Sequence, residues 1–264
     1  MLPKLLRPAT CAFARPFSHQ SQRPVALIIG AGDATGAAVS RRFVREGFTV
    51  CLVRRSEEKI AALCTTINSE GQPGQAHGYG TDARVEEEVC ALVDLVEATH
   101  GPIEVFVHNI GANVKFDLAK TTSRVYRKVW EMAALSAFLS GREVGTRMAQ
   151  RRRGTMIFTG ATASVRGSAG FSAFSGAMFA KRSLAQSMAR ELGPSNVHVA
   201  HCVIDGAIDT PWICSTFPEM AAKAAAVEGL VDPNAIAEAY YQLAQQPRTA
   251  WTHELDLRPY CEKW

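Results

Sequence analysis

The sequence lacks the features that mark membrane-spanning, metal-binding and disulfide-rich proteins. None of its apolar runs approaches the roughly 20 residues that cross a bilayer. Its seven cysteines contain no CxxC pair, so we expect free thiols in a reducing compartment. His198 and His201 fall on one predicted strand and face opposite sides of it, which argues against a shared metal ion. The 264 residues show no internal repeat and no linker, and they predict one domain.

Acidic residues are absent from the first 32 positions, where every charge is basic. This composition is similar to that of a mitochondrial transit peptide, and residues 15–18, Arg-Pro-Phe-Ser, resemble a matrix-peptidase site with the cut after Phe17. We therefore predict a transit peptide over residues 1–17, a folded domain over residues 18–264, and location in the mitochondrial matrix. The alternative is a disordered basic tail, because three prolines weaken the amphipathic helix that such peptides form.

An excess of basic charge is absent from the predicted domain. Of the 29 Lys and Arg residues, three lie in residues 1–17, which leaves 26 against 25 acidic residues. A domain near neutrality lacks the electrostatic footprint of a nucleic-acid-binding protein. We expect neither a nucleic acid nor a membrane among its partners.

The stretch from Val25 to Gly36 combines a strand, a turn and the start of a helix. Val25 to Ile29 is a continuous apolar run, typical of a strand buried on both faces of a parallel sheet. The turn Gly30-Ala31-Gly32-Asp33-Ala34-Thr35-Gly36 follows, and a helical pattern begins after it. Glycines allow close approach of the backbone, and a helix N-terminus offers N–H groups to a phosphate. The stretch predicts dinucleotide binding; the alternative is a tight turn with no ligand.

Strand and helix patterns alternate along the rest of the chain. The predicted strands are 49–53, 75–80, 103–107, 155–159, 197–204 and 251–257, and the predicted helices are 57–68, 86–99, 125–150, 171–192 and 234–246. This alternation predicts an α/β fold, a single Rossmann-like doubly wound parallel sheet with helices on both faces. Ligands of such sheets lie beyond the carboxyl ends of the strands, so we expect the site there.

Several segments at those strand ends resemble motifs of the short-chain dehydrogenase/reductase family. The turn at 30–36 is similar to the family's G-x-x-x-G-x-G turn, with Ala34 at the middle glycine. Residues 108–111, His-Asn-Ile-Gly, resemble its Asn-Asn-Ala-Gly element, and residues 205–210 resemble its Pro-Gly-x-x-x-Thr segment with Asp205 in place of proline. The resemblance covers nearly all of the predicted domain and implies that a cofactor contacts Gly30, Gly32, Asp33, Ala34, Thr35, Gly36, Arg54, Arg55, Asp82, Asn109, Gly111, Gly206 and Thr210.

The second predicted strand ends in Arg54 and Arg55, where an acid would bind the ribose 2′-hydroxyl of NAD. Arginine instead suits a 2′-phosphate, through charge-assisted hydrogen bonds. These residues favour NADP(H) as the cofactor. The alternative is that both arginines are merely solvated at the start of a helix.

The family's catalytic side chains are missing from the positions that the resemblance assigns to them. In the family a Tyr gives a proton to the developing alkoxide, a Lys lowers the pKa of that Tyr, a Ser holds the carbonyl and an Asn completes the relay. Phe174 stands at the Tyr position and Met178 at the Lys position, while Ala161 and Ala133 replace the Ser and the Asn. Phe has no ionisable proton and Met carries no charge.

No neighbouring side chain convincingly replaces this set. Thr162, if it lies on a strand, faces away from the site. Ser175 lies about 100° around the helix from the Tyr position, and Lys181 lies a turn beyond the Lys position. His108 is near the nicotinamide end by resemblance and is a candidate acid of unusual type, although a lone His is more often a buried structural residue.

Three interpretations follow. We favour an NADP(H)-binding mitochondrial pseudoenzyme with a regulatory or assembly role. The first alternative is an active NADP(H)-dependent reductase with a non-standard proton donor and a small-molecule substrate held under residues 212–220. The second alternative is a pure interaction module. Loss of the Lys favours the pseudoenzyme, whereas the retained Asn109, Gly206 and Thr210 favour use of the cofactor.

The predicted helices 125–150 and 171–192 resemble the pair through which the family forms dimers. They contain many small residues, which permit close helix packing. The resemblance therefore implies a homodimer or a homotetramer.

Overall fold

A computed structural model describes residues 23–263, so the predicted transit peptide and its cut site lie outside the described residues. Within that range the chain forms one parallel sheet of seven strands in the order β3-β2-β1-β4-β5-β6-β7. This order confirms the predicted doubly wound α/β fold. The strands are β1 Val25–Ile29, β2 Thr49–Arg54, β3 Gln75–Gly80, β4 Ile103–His108, β5 Gly154–Thr159, β6 Val197–Ile204 and β7 Glu254–Leu257.

The helices cover both faces of this sheet and bury its apolar side chains in two core clusters. β1 is fully buried, as its continuous apolar sequence predicts. The strand order reverses between β1 and β4, which pair with each other in the middle of the sheet. The helices are α1 Thr35–Arg45, α2 Glu57–Ser69, α3 Glu86–His100, α4 Ser123–Trp130, α5 Ser136–Arg151, α6 Ser172–Leu192, α7 Pro211–Thr216, α8 Pro218–Ala225 and α9 Pro233–Ala244.

The predicted helix 125–150 is interrupted by one π-helical turn at Glu131–Leu135. The backbone N–H of Ser136 bonds to the carbonyl of Glu131, five residues back, instead of that of Met132. The Ser136 hydroxyl donates to the Met132 carbonyl at 2.5 Å, so this carbonyl gains a side-chain donor. A hydrophobic pattern cannot reveal a turn widened by one residue, and the prediction of a regular helix was wrong here.

Two further corrections concern the C-terminal third. β7 begins at Glu254 rather than at 251, because Trp251 stacks on His198 and Thr252 bonds to Gln246 instead of extending the strand. The segment after Thr210, for which no secondary structure was predicted, forms the short helices α7 and α8.

Helix α9 contacts helix α1 through Glu238 and Arg42, which are 196 positions apart in the chain. Their ion pair measures 2.6 Å. The Arg42 guanidinium also lies 3.9 Å from the centre of the Tyr241 ring, and the Tyr241 hydroxyl donates to Glu46 at 3.0 Å. Because α1 follows the glycine-rich turn, these contacts fix the helix that begins at the site.

Candidate functional site

The glycine-rich turn is packed tightly against the loop after β4. Gly30 has a φ of +91°, and a Cβ there would lie 2.8 Å from the carbonyl carbon of Asn109. The Asn109 amide in turn donates to the Gly30 carbonyl at 3.1 Å. A Cβ on Gly36 would lie 2.6 Å from the Cα of Ala31. Glycine is therefore required at both positions, by sterics at Gly36 and by sterics and conformation at Gly30.

Gly32 differs from these two glycines because its missing side chain would meet no atom within 4 Å of the described chain. It borders a cavity of about 250 Å³ instead. Helix α1 begins beside it with Ala34 at the N-cap, and across residues 23–263 no side chain caps that end and no acid lies in the first turn. The backbone N–H of Ala37 donates to the Gly32 carbonyl at 2.9 Å, but in the described chain no side-chain acceptor competes for the N–H groups of this helix end, which suits a phosphate.

The first cavity has a strongly basic rim. Arg54, Arg55 and Arg84 all line it, together with Asp82. Arg54 pairs with Asp33 of the glycine-rich turn at 2.8 Å, and Arg84 forms a two-pronged pair with Asp82. Hydrogen bonds from Arg84 lower the pKa of Asp82. The structure thus brings the predicted Arg54, Arg55 and Asp82 together and adds Arg84, which follows Asp82 closely in sequence but carried no recognisable motif.

A second cavity of about 510 Å³ adjoins the first, since Asn109 and Gly111 line both. Gly206 and Thr210 line it after β6, and Trp212 of α7 closes one side. The Thr210 hydroxyl caps α7 by accepting from the backbone N–H of Ile213 at 3.1 Å. Most of the predicted cofactor residues therefore border one continuous two-part groove. Of the three that do not, Asp33 is exposed, Ala34 lies at the helix N-cap and Gly36 is packed against Ala31.

The four positions that replace the catalytic set meet in one apolar cluster. Phe174 and Met178 of α6 line the second cavity with Ala161, and all three are packed in a cluster that also contains the buried Ala133 of the π-helical turn. The exposed fractions of Phe174 and Met178 are 7% and 2%. None of these four side chains can hold or move a proton. At these positions the cavity wall is hydrophobic, as the sequence predicts, although the family resemblance assigns them to a proton donor and its partners.

Thr162 lies beyond the end of β5, so the expectation that a strand would turn it away from the site does not apply. β5 ends at Thr159, and Thr162 begins a short 3₁₀ turn that borders the second cavity. Its hydroxyl donates to the buried carboxylate of Asp205 at 2.5 Å, and that carboxylate pairs with Arg258 at 3.0 Å. Asp205, which stands where the family motif has proline, thus connects the second cavity to the C-terminal segment. Sequence reasoning missed this connection.

A layer of buried basic side chains lies beneath the groove. His108 and His201 lie at one level of the sheet, on either side of Phe158, and Lys181 of α6 lies close enough to lower the pKa of both. His108 Nε2 lies 2.9 Å from the Ser136 hydroxyl, whose proton is given to Met132, so His108 is the donor. Burial and the nearby Lys181 lower the pKa of His108 well below its ordinary value. His108 is therefore a neutral core residue outside both cavity walls.

Acid should destabilise the protein through His201, whose side chain is fully buried. Burial lowers the pKa of His201 from 6.5 to about 4, although Glu254 lies 3.3 Å away. Between these two pH values the unfolded chain binds a proton that the native chain does not, so stability falls as the pH falls through this window. We expect a loss of about 3 kcal/mol in the free energy of unfolding.

Urea unfolding of the parent and of His201→Leu at pH 8, 6 and 4.5 measures this effect. The parent should lose more stability than the variant across the series, with the difference growing below pH 6.5. Parallel pH profiles for the two proteins would show that His201 does not carry the dependence.

The described range contains neither a helix long and apolar enough to cross a membrane nor a group of three or more His, Cys, Asp or Glu side chains placed to bind a metal ion.

Residues 24–221 match the family model of the short chain dehydrogenases. The short-chain reductase protein NovJ of Streptomyces niveus is 31% identical over 193 residues, which cover 73% of this chain and 72% of the relative. The human dehydrogenase/reductase SDR family member 11 is 22% identical over 258 residues, which cover 93% and 98%.

Solved structures show the same similarity. A short-chain dehydrogenase from Rhodopseudomonas palustris has 45% sequence identity and a TM-score of 0.75, with 90% of this chain and 99% of that chain covered. A metagenomic short-chain oxidoreductase in complex with NADP has 23% identity and a TM-score of 0.76, with 91% and 99% covered. At that level of identity the second likeness concerns the fold alone.

Proposed function

This chain belongs to the short-chain dehydrogenase/reductase family, and from that membership we propose that it binds NADP(H) and is a catalytically degenerate member of the family. The observation that carries the proposal is the two-part groove, which keeps an uncapped helix end and a basic rim beside an apolar wall. Such a groove has the parts that bind a dinucleotide and lacks the part that gives a proton to a ketone.

The residues present fit the dinucleotide. The open space at Gly32 and the start of α1 would receive the pyrophosphate, and Arg54 and Arg55 would meet a 2′-phosphate in the first cavity. Gly206 and Thr210 would lie beside the nicotinamide in the second cavity. When bound, the cofactor supplies a hydride. The metagenomic oxidoreductase, which has the same fold, was solved in complex with NADP.

The apolar cluster supports the degenerate assignment. In this chain the side chains that would complete proton transfer are a phenyl ring, a thioether and two methyl groups, at Phe174, Met178, Ala161 and Ala133. Ser175 of α6 also lines the second cavity, and its hydroxyl has no hydrogen-bond partner within residues 23–263. The other two candidates are not available as proton donors. The Thr162 proton is held by Asp205, and His108 is buried and neutral.

An active reductase is the second candidate function, and one observation favours it. The second cavity is large enough, at about 510 Å³, to hold a small molecule beside the cofactor. Its apolar walls suit an activated C=C substrate, whose reduction can take its proton from another group or from water. A regulatory or assembly role in the mitochondrial matrix belongs to the first candidate function, and the location rests on the basic segment at residues 1–17.

A homodimer or homotetramer is part of the proposal. Four aromatic side chains on α4, α5 and α6 are exposed by 40–47%, which is unusual for a surface that faces only water. Helix pairs at this place would bury them against a second copy. These side chains are Tyr126, Trp130, Phe138 and Phe179.

The cofactor assignment predicts that Arg54→Ala/Arg55→Ala weakens NADPH binding by about a hundredfold or more and leaves NADH binding nearly unchanged. Each lost charge-assisted hydrogen bond to a phosphate costs about 1.5–3 kcal/mol, and NADH has no 2′-phosphate. Isothermal titration of residues 18–264 with both dinucleotides measures the two affinities. Arg45→Ala/Arg248→Ala removes the same charge at exposed positions outside both cavities and serves as the control. Equal losses for NADPH and NADH would contradict the assignment.

A further inference from the structure

Lys181 is a fully buried lysine that the proposed function leaves without a role. It follows Met178 on the same side of α6 and is turned toward the carboxyl ends of the strands. Its ammonium donates to the carbonyl of Ile110 at 2.5 Å and to the carbonyl of Thr159 at 3.2 Å. Lysine is rarely buried in this way, because removal of its charge from water is costly.

The two carbonyls place this ammonium where the cavities meet. Ile110 lines the first cavity and Thr159 lines the second. Asn109 and Gly111, the neighbours of Ile110, line both. The charge therefore lies directly behind the junction of the groove, one layer deeper than the side chain of Met178.

No carboxylate of residues 23–263 forms an ion pair with Lys181. The titratable groups that face it are His108 of β4 and His201 of β6, and Lys181 lies close enough to lower the pKa of both. Glu254 of β7 lies beyond His201 and forms a two-pronged pair with Arg182. Burial lowers the pKa of Lys181 to about 7, so the ammonium is substantially populated at neutral pH. Its field is screened little, because the surroundings are apolar and the two histidines are neutral.

We propose that the buried Lys181 ammonium makes this groove bind the reduced dinucleotide, with its uncharged nicotinamide ring, more tightly than the oxidised form with its cationic ring. The inference rests on the proposed function, since it requires the nicotinamide to occupy the second cavity. Like charges in a poorly screened interior repel, and the oxidised ring is the positive partner. Lys181 acts through the field, and through the two carbonyls that it fixes, without touching the cofactor.

The ratio of the dissociation constants of NADPH and NADP⁺ isolates the effect of the Lys181 charge. The phosphates carry the same charges in NADPH and NADP⁺, so every contact with the phosphates cancels when the two affinities are compared. We expect the parent to bind NADPH more tightly than NADP⁺. Lys181→Met keeps the length of the side chain and removes the charge, and it should reduce this preference by about tenfold.

Isothermal titration of residues 18–264 with NADPH and NADP⁺ gives the ratio for the parent and the variant. Lys115→Met is the matched control, since it removes the same charge from an exposed lysine outside both cavity walls. A ratio that moves in Lys181→Met and stays fixed in Lys115→Met supports the inference. A ratio that is the same in all three proteins overturns it.

A pH series on the parent alone keeps the inference testable if Lys181→Met does not fold. As the pH rises from 6 to 9, Lys181 loses its proton, so the preference for NADPH should decline through about pH 7. The 2′-phosphate titrates alike in both forms and cancels. A preference that is independent of pH overturns the inference, whereas absence of binding by both dinucleotides contradicts the proposed function itself.

Discussion

Gly32→Val will abolish NADPH binding and leave the free energy of unfolding of the free protein within about 0.5 kcal/mol of the parent value. The valine Cβ meets no atom within 4 Å, so the folded chain accommodates it without displacement of a neighbour. The same atoms would occupy the space in which the pyrophosphate has to approach the backbone. The substitution therefore removes a binding site without removing a structural contact.

Gly36→Ala, in contrast, will lower the free energy of unfolding. Its Cβ would lie 2.6 Å from the Cα of Ala31 and 2.8 Å from the carbonyl oxygen of Gly30, so backbone must move. We expect a loss of about 1–3 kcal/mol in the free energy of unfolding, the usual range for overpacking. The two glycines are four positions apart in one turn, yet one is required for ligand access and the other for packing.

Thermal shift and urea unfolding, each with and without NADPH, distinguish the two behaviours. At about one hundred times its dissociation constant, NADPH should stabilise the parent by about 2.7 kcal/mol and Gly32→Val not at all. Gly167→Val, where a Cβ also meets open space and which borders neither cavity, should retain the full shift. Retention of the shift in Gly32→Val would mean that the dinucleotide does not lie along this turn.

Installation of the missing catalytic set will raise the rate of ketone reduction by about 10²–10⁴-fold over the parent, the usual contribution of a positioned proton donor. The variant combines Phe174→Tyr, Met178→Lys, Ala161→Ser and Ala133→Asn. Phe174 and Met178 already line the second cavity with Ala161, so the new hydroxyls and ammonium would converge at its wall. The expected gain follows from the proposed function, in which the groove binds the cofactor and lacks only the proton donor.

Oxidation of NADPH in the presence of a reactive α-diketone measures this gain. The triple variant that keeps Phe174 is the control, since it adds the polar neighbours without the proton donor. A parent that already turns over as fast as the quadruple variant would favour the active reductase with a non-standard donor over the degenerate enzyme.

The fold and the outline of the groove were predictable because they depend on local patterns. The apolar run of β1 and the glycine-rich turn after it each occupy a few consecutive residues, and the structure has both where they were expected. The π-helical turn at Glu131–Leu135 was not predictable, since it changes one hydrogen bond and leaves the hydrophobic pattern intact.

The parts of the site that sequence reasoning missed depend on contacts between distant residues. The Asp205–Arg258 pair joins positions far apart in the chain, so neither residue alone indicates it. In the sequence, Lys181 is distinguished only by its position about one helical turn beyond Met178. Its importance lies in the carbonyls of Ile110 and Thr159, which come from two different strand ends.

The contacts of Arg42 in α1 with Glu238 and Tyr241 in α9 affect the order in which the parts of the groove form. The glycine-rich turn and α1 are synthesised before α9, so Arg42 has to wait for Glu238 and Tyr241, and Glu238 lies 196 positions further along the chain. Contacts of such long sequence separation form late, because loop closure has to precede them. The helix that follows the glycine-rich turn is therefore held in place only after α9 has been synthesised.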